Sequence, residues 1–136
     1  MVYKGQSQTN KGGSDMKVFP VADTHTDERR TLTAFRPSAD FPHTAEGKVL
    51  ITKKDGVRLG NHSHPHVEGF FLVQGECTVR TWTQAGGVKD HALKAPVMFM
   101  FEPHEEHILT CSDTMILVGY MPITFEEENN TPASHL

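Results

Sequence analysis

The sequence predicts an all-β fold, either a small antiparallel barrel or a double-sheet jelly roll, and three observations support this prediction. Short segments rich in β-branched and aromatic residues recur between turn signals. No segment sustains the hydrophobic period of an amphipathic helix. The 11 glycines and 8 prolines interrupt the pattern often, which favours many turns over long helices. Short antiparallel strands are expected to close into a barrel or to form two sheets, because both arrangements protect strand edges.

The predicted elements belong to a single domain, since 136 residues suffice for one hydrophobic core and are too few for two. Residues 1–15 are polar and glycine-rich and predict a flexible N-terminal arm, residues 16–125 predict the β-barrel, and residues 126–136 predict a C-terminal tail. The predicted strands are KVLIT (48–52), GFFLV (69–73), CTVRTWT (77–83), VMFMF (97–101) and MILVGYM (115–121). In CTVRTWT, alternation places Cys77, Val79 and Thr81 on one face.

Composition and charge argue against nucleic-acid and membrane functions. The net charge of −4 is spread over interspersed signs and leaves no basic patch for nucleic acid. No apolar run approaches the roughly 18 to 20 residues that span a bilayer, and the N-terminus lacks the apolar core of a signal peptide. Cys77 and Cys111 form no CxxC pair and are expected to be buried free thiols. We therefore expect a cytoplasmic protein whose partner is a small molecule.

The stretch GVRLGNHSHPHVEGFFLVQG, residues 56–75, concentrates three histidines and a glutamate in seven positions. Side chains two apart in a strand share a face, so His62 and His64 project together. Glu68 begins the next apolar strand, and His107 arrives from a later one. Three imidazoles and one carboxylate suit a single divalent transition metal such as Zn²⁺, Fe²⁺, Mn²⁺, Ni²⁺ or Cu²⁺. The alternative is a solvated HxH pair followed by a surface glutamate.

The spacing of this stretch resembles the first motif of the cupin superfamily. It has Gly56, five residues, His62-x-His64, three residues, Glu68, six residues and Gly75. The segment FEPHEEHILT, residues 101–110, is similar to the second motif, with Pro103 and His107 in place. The resemblance implies a single-domain cupin-type double-stranded β-helix, a jelly-roll barrel. It also implies that the metal ligands are His62, His64, Glu68 and His107.

Other histidines lie beside the motif without occupying a ligand position. His66 and His104 are expected next to the ligands or at the rim of the site, and so is Tyr120. A different turn after Pro103 would instead make His104 the fourth ligand in place of His107. The candidate general bases are His66, His104, Glu105 and Tyr120, and none of them is assigned a catalytic role.

Two further segments favour a carbohydrate substrate. DERRTLTAF (27–35) and GVRLGNHSH (56–64) are similar to elements of the cupins that act on nucleotide sugars in polysaccharide biosynthesis. This resemblance implies a sugar epimerase or isomerase, in which a bound ion polarises the sugar carbonyl. Glu68 favours a metal site, because the metal-free ketoisomerases of that group lack a glutamate there. The alternatives are an Fe²⁺-dependent dioxygenase and a non-catalytic sugar-binding or sensing cupin.

The number of large apolar residues on the predicted strands predicts a homodimer. Seven of them are expected to cover two faces of a thin barrel, more than one small core readily hides: Phe70, Phe71, Trp82, Met98, Phe99, Met100 and Phe101.

Overall fold

The computed structural model describes residues 16–20, 23–26, 28, 31–34, 45–124, 127 and 129–136. The predicted N-terminal arm, residues 1–15, lies outside the described residues, and the segment 27–35 is described only in part. No helix that is long and apolar enough to cross a membrane occurs in the described ranges.

The described residues form twelve strands. Their bounds are β1 Lys17–Pro20, β2 Asp23–Thr26, β3 Thr31–Ala34, β4 Glu46–Ile51, β5 Val57–Ser63, β6 Glu68–Gln74, β7 Glu76–Thr83, β8 Gly87–Lys94, β9 Val97–Phe101, β10 Glu106–Cys111, β11 Ile116–Met121 and β12 Thr131–Pro132. The first sheet has the order β1-β9-β6-β11-β4, the second has the order β12-β5-β10-β7-β8, and β2 and β3 form a separate hairpin. All pairings are antiparallel. From β5 to β11 the chain passes repeatedly between the two sheets, which makes a jelly roll. The predicted all-β fold is confirmed.

The hydrophobic core lies between the two sheets. β7 alternates as predicted, with Cys77, Val79 and Thr81 buried and the residues between them more exposed. The first sheet contributes aromatic and aliphatic side chains from β6, β9 and β11 to the same cluster. Cys77 and Cys111 face each other on neighbouring strands within this core and are free thiols, as predicted.

Six of the seven residues that predicted a dimer are buried within the chain, and the seventh, Trp82, is half-buried. Phe70, Phe99 and Phe101 belong to the core between the sheets. Phe71, Met98 and Met100 belong with Phe19 to a second apolar cluster on the outer face of the first sheet. VMFMF shows no polar alternation because both faces of its strand are covered. These residues therefore do not supply the exposed surface on which the predicted dimer was based.

An irregularity in β5 directs its end toward the barrel interior. Gly60 and Asn61 have positive φ angles of 89° and 64°, and the pairing of β5 with β10 shifts register at the same point. A Cβ atom on Gly60 would lie 2.9 Å from the carbonyl oxygen of His107. Only glycine fits this close approach, and beyond the bulge at Gly60 and Asn61 the next residue, His62, pairs with His107 of β10.

Residues 129–136, part of the predicted tail, include the short strand β12 on the second sheet. Thr131 and Pro132 pair with Ser63 and His62 of β5, and the Ala133 amide donates to the carbonyl of Asn61 at 3.0 Å. This segment covers the edge of β5 beside the irregular residues. A sequence of polar residues without periodicity gives no signal for such a contact.

Candidate metal centre

The four predicted ligand residues lie together inside the barrel. His62 is on β5, His64 follows that strand, Glu68 begins β6, and His107 is on β10. One ligand atom of each residue lies within 4.8 Å of the corresponding atoms of the other three. His64, Glu68 and His107 are only 1%, 1% and 2% exposed, so their polar atoms depend on one another and not on solvent. Strand alternation linked only His62 and His64, and the structure brings Glu68 and His107 from two other strands to the same place.

Backbone carbonyls fix the orientation of two of the imidazole rings. His64 Nδ1 lies 3.0 Å from the carbonyl oxygen of His66, and His107 Nδ1 lies 2.9 Å from that of Glu105. A carbonyl oxygen only accepts, so each Nδ1 carries the proton and donates it. In the neutral rings each Nε2 then presents a lone pair to the interior, which is the form in which histidine binds a metal.

Both Nε2 atoms face the same carboxylate oxygen. Glu68 Oε1 lies 3.1 Å from His64 Nε2 and 3.8 Å from His107 Nε2. A lone pair and a carboxylate oxygen repel each other at this distance unless a proton or a metal ion lies between them. The donor set therefore fits a cation at the centre of the cluster, and three imidazoles with one carboxylate suit a borderline divalent ion.

The ionisation of the cluster matches this requirement. Burial is the main reason that the pKa of His107 falls from 6.5 to about 3. Burial alone would raise the pKa of Glu68, but a proton on His64 Nε2, donated to Oε1 in the metal-free site, and the charge of Lys48 outweigh burial and lower that pKa from 4.5 to about 2. A metal ion at the centre of the cluster would take the place of that proton. At neutral pH the cluster thus holds a carboxylate and a neutral His107, the protonation states that metal binding needs.

Lys48 is a member of the site that the sequence analysis did not identify. Its Nζ lies 2.7 Å from Glu68 Oε2, so the two carboxylate oxygens have different partners. Gly119 pairs with both Lys48 and Phe70, and a Cβ atom there would lie 3.0 Å from the Lys48 stem and 2.9 Å from the Phe70 ring. The available signal was alternation within KVLIT, which puts Lys48 on the same face as Leu50.

His66 and His104 both contact His64. The His66 ring stacks on the His64 ring with centroids 4.2 Å apart, and its Nδ1 donates to the Val67 carbonyl at 2.9 Å. The His104 side chain is exposed, and its backbone amide donates to the His64 carbonyl at 2.8 Å. Of the two candidates for the fourth ligand, His107 lies in the cluster and His104 does not.

Tyr120 and Glu105 do not face the site. The Tyr120 ring lies over Gly69 and packs against the apolar cluster on the outer face of the first sheet. The prediction that it lies beside the ligands was wrong, because Tyr120 alternates with the inward-facing Gly119 and Met121. Glu105 is buried and accepts the backbone amides of Met16 at 2.6 Å and Glu102 at 3.0 Å. It therefore anchors β1 and is not placed as a base.

His135, to which the sequence analysis gave no role, holds the C-terminal segment beside the site. Its ring stacks on Trp82 with centroids 3.5 Å apart, and its Nδ1 lies 2.7 Å from Glu106 Oε2. The backbone amides of Ser134 and His135 donate to Glu106 Oε1 at 3.0 Å and 2.9 Å. Glu106 precedes His107, so this contact fixes the outer face of the strand whose inner face carries a candidate ligand.

A cavity of about 170 Å³ opens next to the cluster. Its described lining is polar at Lys48, His62, Glu68 and His107 and otherwise consists of Leu50, Leu59, Gly60, Phe70, Leu109 and Leu117. A more open depression of about 410 Å³ surrounds Cys77 and Cys111 at another part of the barrel. We take the smaller cavity as the candidate site, because the cluster of possible metal ligands found among the described residues lies there.

Comparison with known proteins identifies solved structures of the same fold. A sugar 3,4-ketoisomerase from Thermoanaerobacterium thermosaccharolyticum, in complex with TDP, is 15% identical with a TM-score of 0.69 over 83% of this chain and 84% of that one. The dTDP-6-deoxy-D-glucose-3,5-epimerase RmlC from Legionella pneumophila is 12% identical with a TM-score of 0.73 over 98% and 79%. The capsular polysaccharide assembling protein CapF from Staphylococcus aureus is 20% identical with a TM-score of 0.59 over 85% of this chain and 33% of that one.

No protein-family model matches the sequence, and no curated protein matches it. The structural likeness shows that the chain has the jelly-roll fold of these solved structures. The fold predicted from the resemblance is thereby confirmed.

The depressed pKa of His107 predicts that acid destabilises the metal-free protein. Below pH 6.5 the unfolded chain binds a proton at this residue that the folded chain binds only near pH 3. The free energy of unfolding should therefore fall as the pH is lowered through this window, by up to about 1.4 kcal/mol per pH unit. Urea unfolding of chelator-treated protein at pH 7 and pH 5 measures the effect before Glu68 titrates. His107→Gln should show a shallower dependence, and an equal slope in both proteins would contradict this account.

Proposed function

We propose that the protein is a metal-dependent sugar isomerase or epimerase whose divalent ion is held by His62, His64, Glu68 and His107. The observation that carries the proposal is the convergence of the Nε2 atoms of His64 and His107 on Glu68 Oε1 among residues that are at most 2% exposed. Zn²⁺, Fe²⁺, Mn²⁺, Ni²⁺ and Cu²⁺ all suit this donor set. The sugar substrate is supported by the structural neighbours, which include a ketoisomerase solved with TDP-4-keto-6-deoxyglucose and an epimerase solved with dTDP-4-keto-L-rhamnose.

The ion would supply polarisation of a carbonyl oxygen, which makes the neighbouring carbon acidic. The chain itself supplies the surroundings of that carbonyl. The leucine and phenylalanine walls of the cavity limit water, and a low local dielectric strengthens the electrostatic contacts of a bound ligand. The four candidate bases from the sequence do not appear among the described residues of the cavity lining. We therefore assign the proton acceptor to none of them.

The ligand assignment predicts which substitutions remove metal. Replacing His62 and His64 together with alanine should abolish stoichiometric binding, because half of the donor set is lost, and His107→Gln should weaken binding at least about tenfold. Metal analysis of freshly purified protein gives the stoichiometry, and circular dichroism verifies the fold. His104→Asn is the matched control and should retain the ion, since asparagine tolerates the positive φ of 65° at that turn. Full metal content in the double variant would refute the site, and loss only in His104→Asn would make His104 the fourth ligand.

The reaction class predicts exchange with solvent. Turnover of TDP-4-keto-6-deoxyglucose in D₂O should place deuterium on the carbon next to the carbonyl, since an enediolate releases its proton to a base that exchanges. Activity should continue without O₂ and with redox-inert Zn²⁺. Mass spectrometry of the recovered sugar measures the incorporation, and the His62→Ala/His64→Ala variant is the control.

The same experiment separates the alternatives. An Fe²⁺-dependent dioxygenase would consume O₂, would lose activity with Zn²⁺ and would incorporate no solvent deuterium at that carbon. A sugar-binding or sensing protein would retain the ligand without converting it. Either result would replace the isomerase or epimerase assignment and would leave the metal site to be judged by its own test.

We also propose a homodimer, now on different residues. Phe71, Val118 and Val49 pair side by side across three strands on the outer face of the first sheet. Phe71 is buried, Val118 is half-buried and Val49 is 63% exposed, and Ile51 beside it is 59% exposed. The outer apolar cluster thus continues to an exposed edge at β4, which a second copy of the chain would cover.

This arrangement predicts that Val49→Glu weakens self-association at least about tenfold, because a buried carboxylate without a partner is costly. Sedimentation velocity over a range of concentrations measures the change. Val88→Glu is the matched control, since Val88 is 51% exposed on the second sheet. A wild-type protein that remains monomeric at all concentrations would remove the proposal.

A further inference from the structure

We propose that the site selects ligands with an anionic oxygen group and that Lys48 is the residue that determines this specificity. The inference rests on the proposed metal site and adds a substrate class to it. The group could be a carboxylate on the sugar ring or a phosphoryl group attached to it, since both present charged oxygens to an ammonium group.

The first step of the argument is the position of the ammonium group. Lys48 lies on β4 with its side chain only 20% exposed, and it belongs to the cavity lining. Its Nζ lies 2.7 Å from Glu68 Oε2 and 5.5 Å from the centroid of the Phe70 ring. The stem passes over Gly119, where a side chain would collide with it. The ammonium group therefore lies in the wall of the cavity and does not extend into solvent.

The second step is the charge balance of the cavity. Without an ion, the charges of Lys48 and Glu68 cancel. When a divalent ion binds to Glu68 and three neutral imidazoles, the ion, the carboxylate and the ammonium group leave about two positive charges. The other residues that line the described part of the cavity are leucines, Phe70 and Gly60, so the described lining offers no second carboxylate. This surplus of positive charge among the described groups favours an anionic ligand.

The third step is size. A cavity of about 170 Å³ is smaller than the roughly 300–1,000 Å³ typical of sites that enclose drug-sized ligands. It suits one sugar-sized unit, so the anionic group must lie on the ring or directly next to it in order to reach Lys48. A neutral sugar of the same size would bring no anionic oxygen to Lys48 and the ion.

The experiment compares three probes that share one ring: D-glucose, D-glucuronate and D-glucose 1-phosphate. Zn²⁺ content is measured first, and the apparent affinity of each probe is then taken from the concentration dependence of the melting temperature at constant ionic strength. Wild-type protein should bind at least one anionic probe about tenfold more tightly than glucose, as expected for a hydrogen bond to a charged group. The preferred anion tells a carboxylate from a phosphoryl group.

Three variants link the preference to Lys48. In Lys48→Met the ratio of the affinity for the anion to the affinity for glucose should fall about tenfold. Lys48→Arg should keep most of this preference, because arginine retains the charge. Lys94→Met is the control, since Lys94 is an exposed lysine on β8, and it should behave as wild type. Circular dichroism and Zn²⁺ content establish that each variant is folded and loaded.

The outcomes separate this inference from the proposal on which it rests. Zn²⁺-loaded protein that shows no preference for either anion would overturn the role of Lys48 and leave the metal site standing. The same conclusion would follow if Lys48→Met kept the full preference. Protein that binds no stoichiometric ion would overturn the proposed function and this inference together.

Discussion

The structure depends on one buried carboxylate. Glu68 is 1% exposed, and a carboxylate in that position is strongly destabilising unless every oxygen has a partner. Its two oxygens have separate partners: Oε1 faces the imidazoles of His64 and His107, and Oε2 accepts a hydrogen bond from Lys48. These partners come from both sheets, so the carboxylate can be satisfied only when the jelly roll is closed. Removing one partner of such a buried pair typically costs about 3–5 kcal/mol.

Segments at the two ends of the described chain support the same region. Glu105, just before β10, and the first two residues of that strand make three different contacts. The Glu105 side chain holds the backbone of Met16, next to β1, and Glu106 holds the backbone of the C-terminal segment. His107 points inward, and its ring is oriented by the carbonyl of Glu105. The position of this candidate ligand is therefore linked to contacts on the outside of the barrel, which ordinary strand pairing would not provide.

The parts of the structure that depend on local pattern could be predicted from the sequence. The HxH spacing places two imidazoles on one face by strand geometry alone, and the alternation of CTVRTWT gives its buried face directly. VMFMF could be recognised as a strand, but its burial on both faces depends on packing that periodicity does not report. Tyr120 was misplaced because an apolar strand end gives no sign of which face is inward. His135 was missed because its partners, Trp82 and Glu106, are far away in sequence and lie on another part of the sheet.

Lys48 shows why charge is difficult to predict from sequence. A lysine at the start of an apolar strand is normally a solvated end, and it becomes part of a site only if the residue opposite is small. Gly119 provides that space, and Glu68 provides the counter-charge. The same pair bears on the choice between a metal-bound and a metal-free histidine site. Lys48 is bonded to Oε2, whereas the Nε2 atoms of His64 and His107 both face Oε1. A proton can lie between the nitrogen and the oxygen at only one of these two contacts. A single metal ion could bind both nitrogens and the oxygen at once, and for this reason the geometry favours the ion.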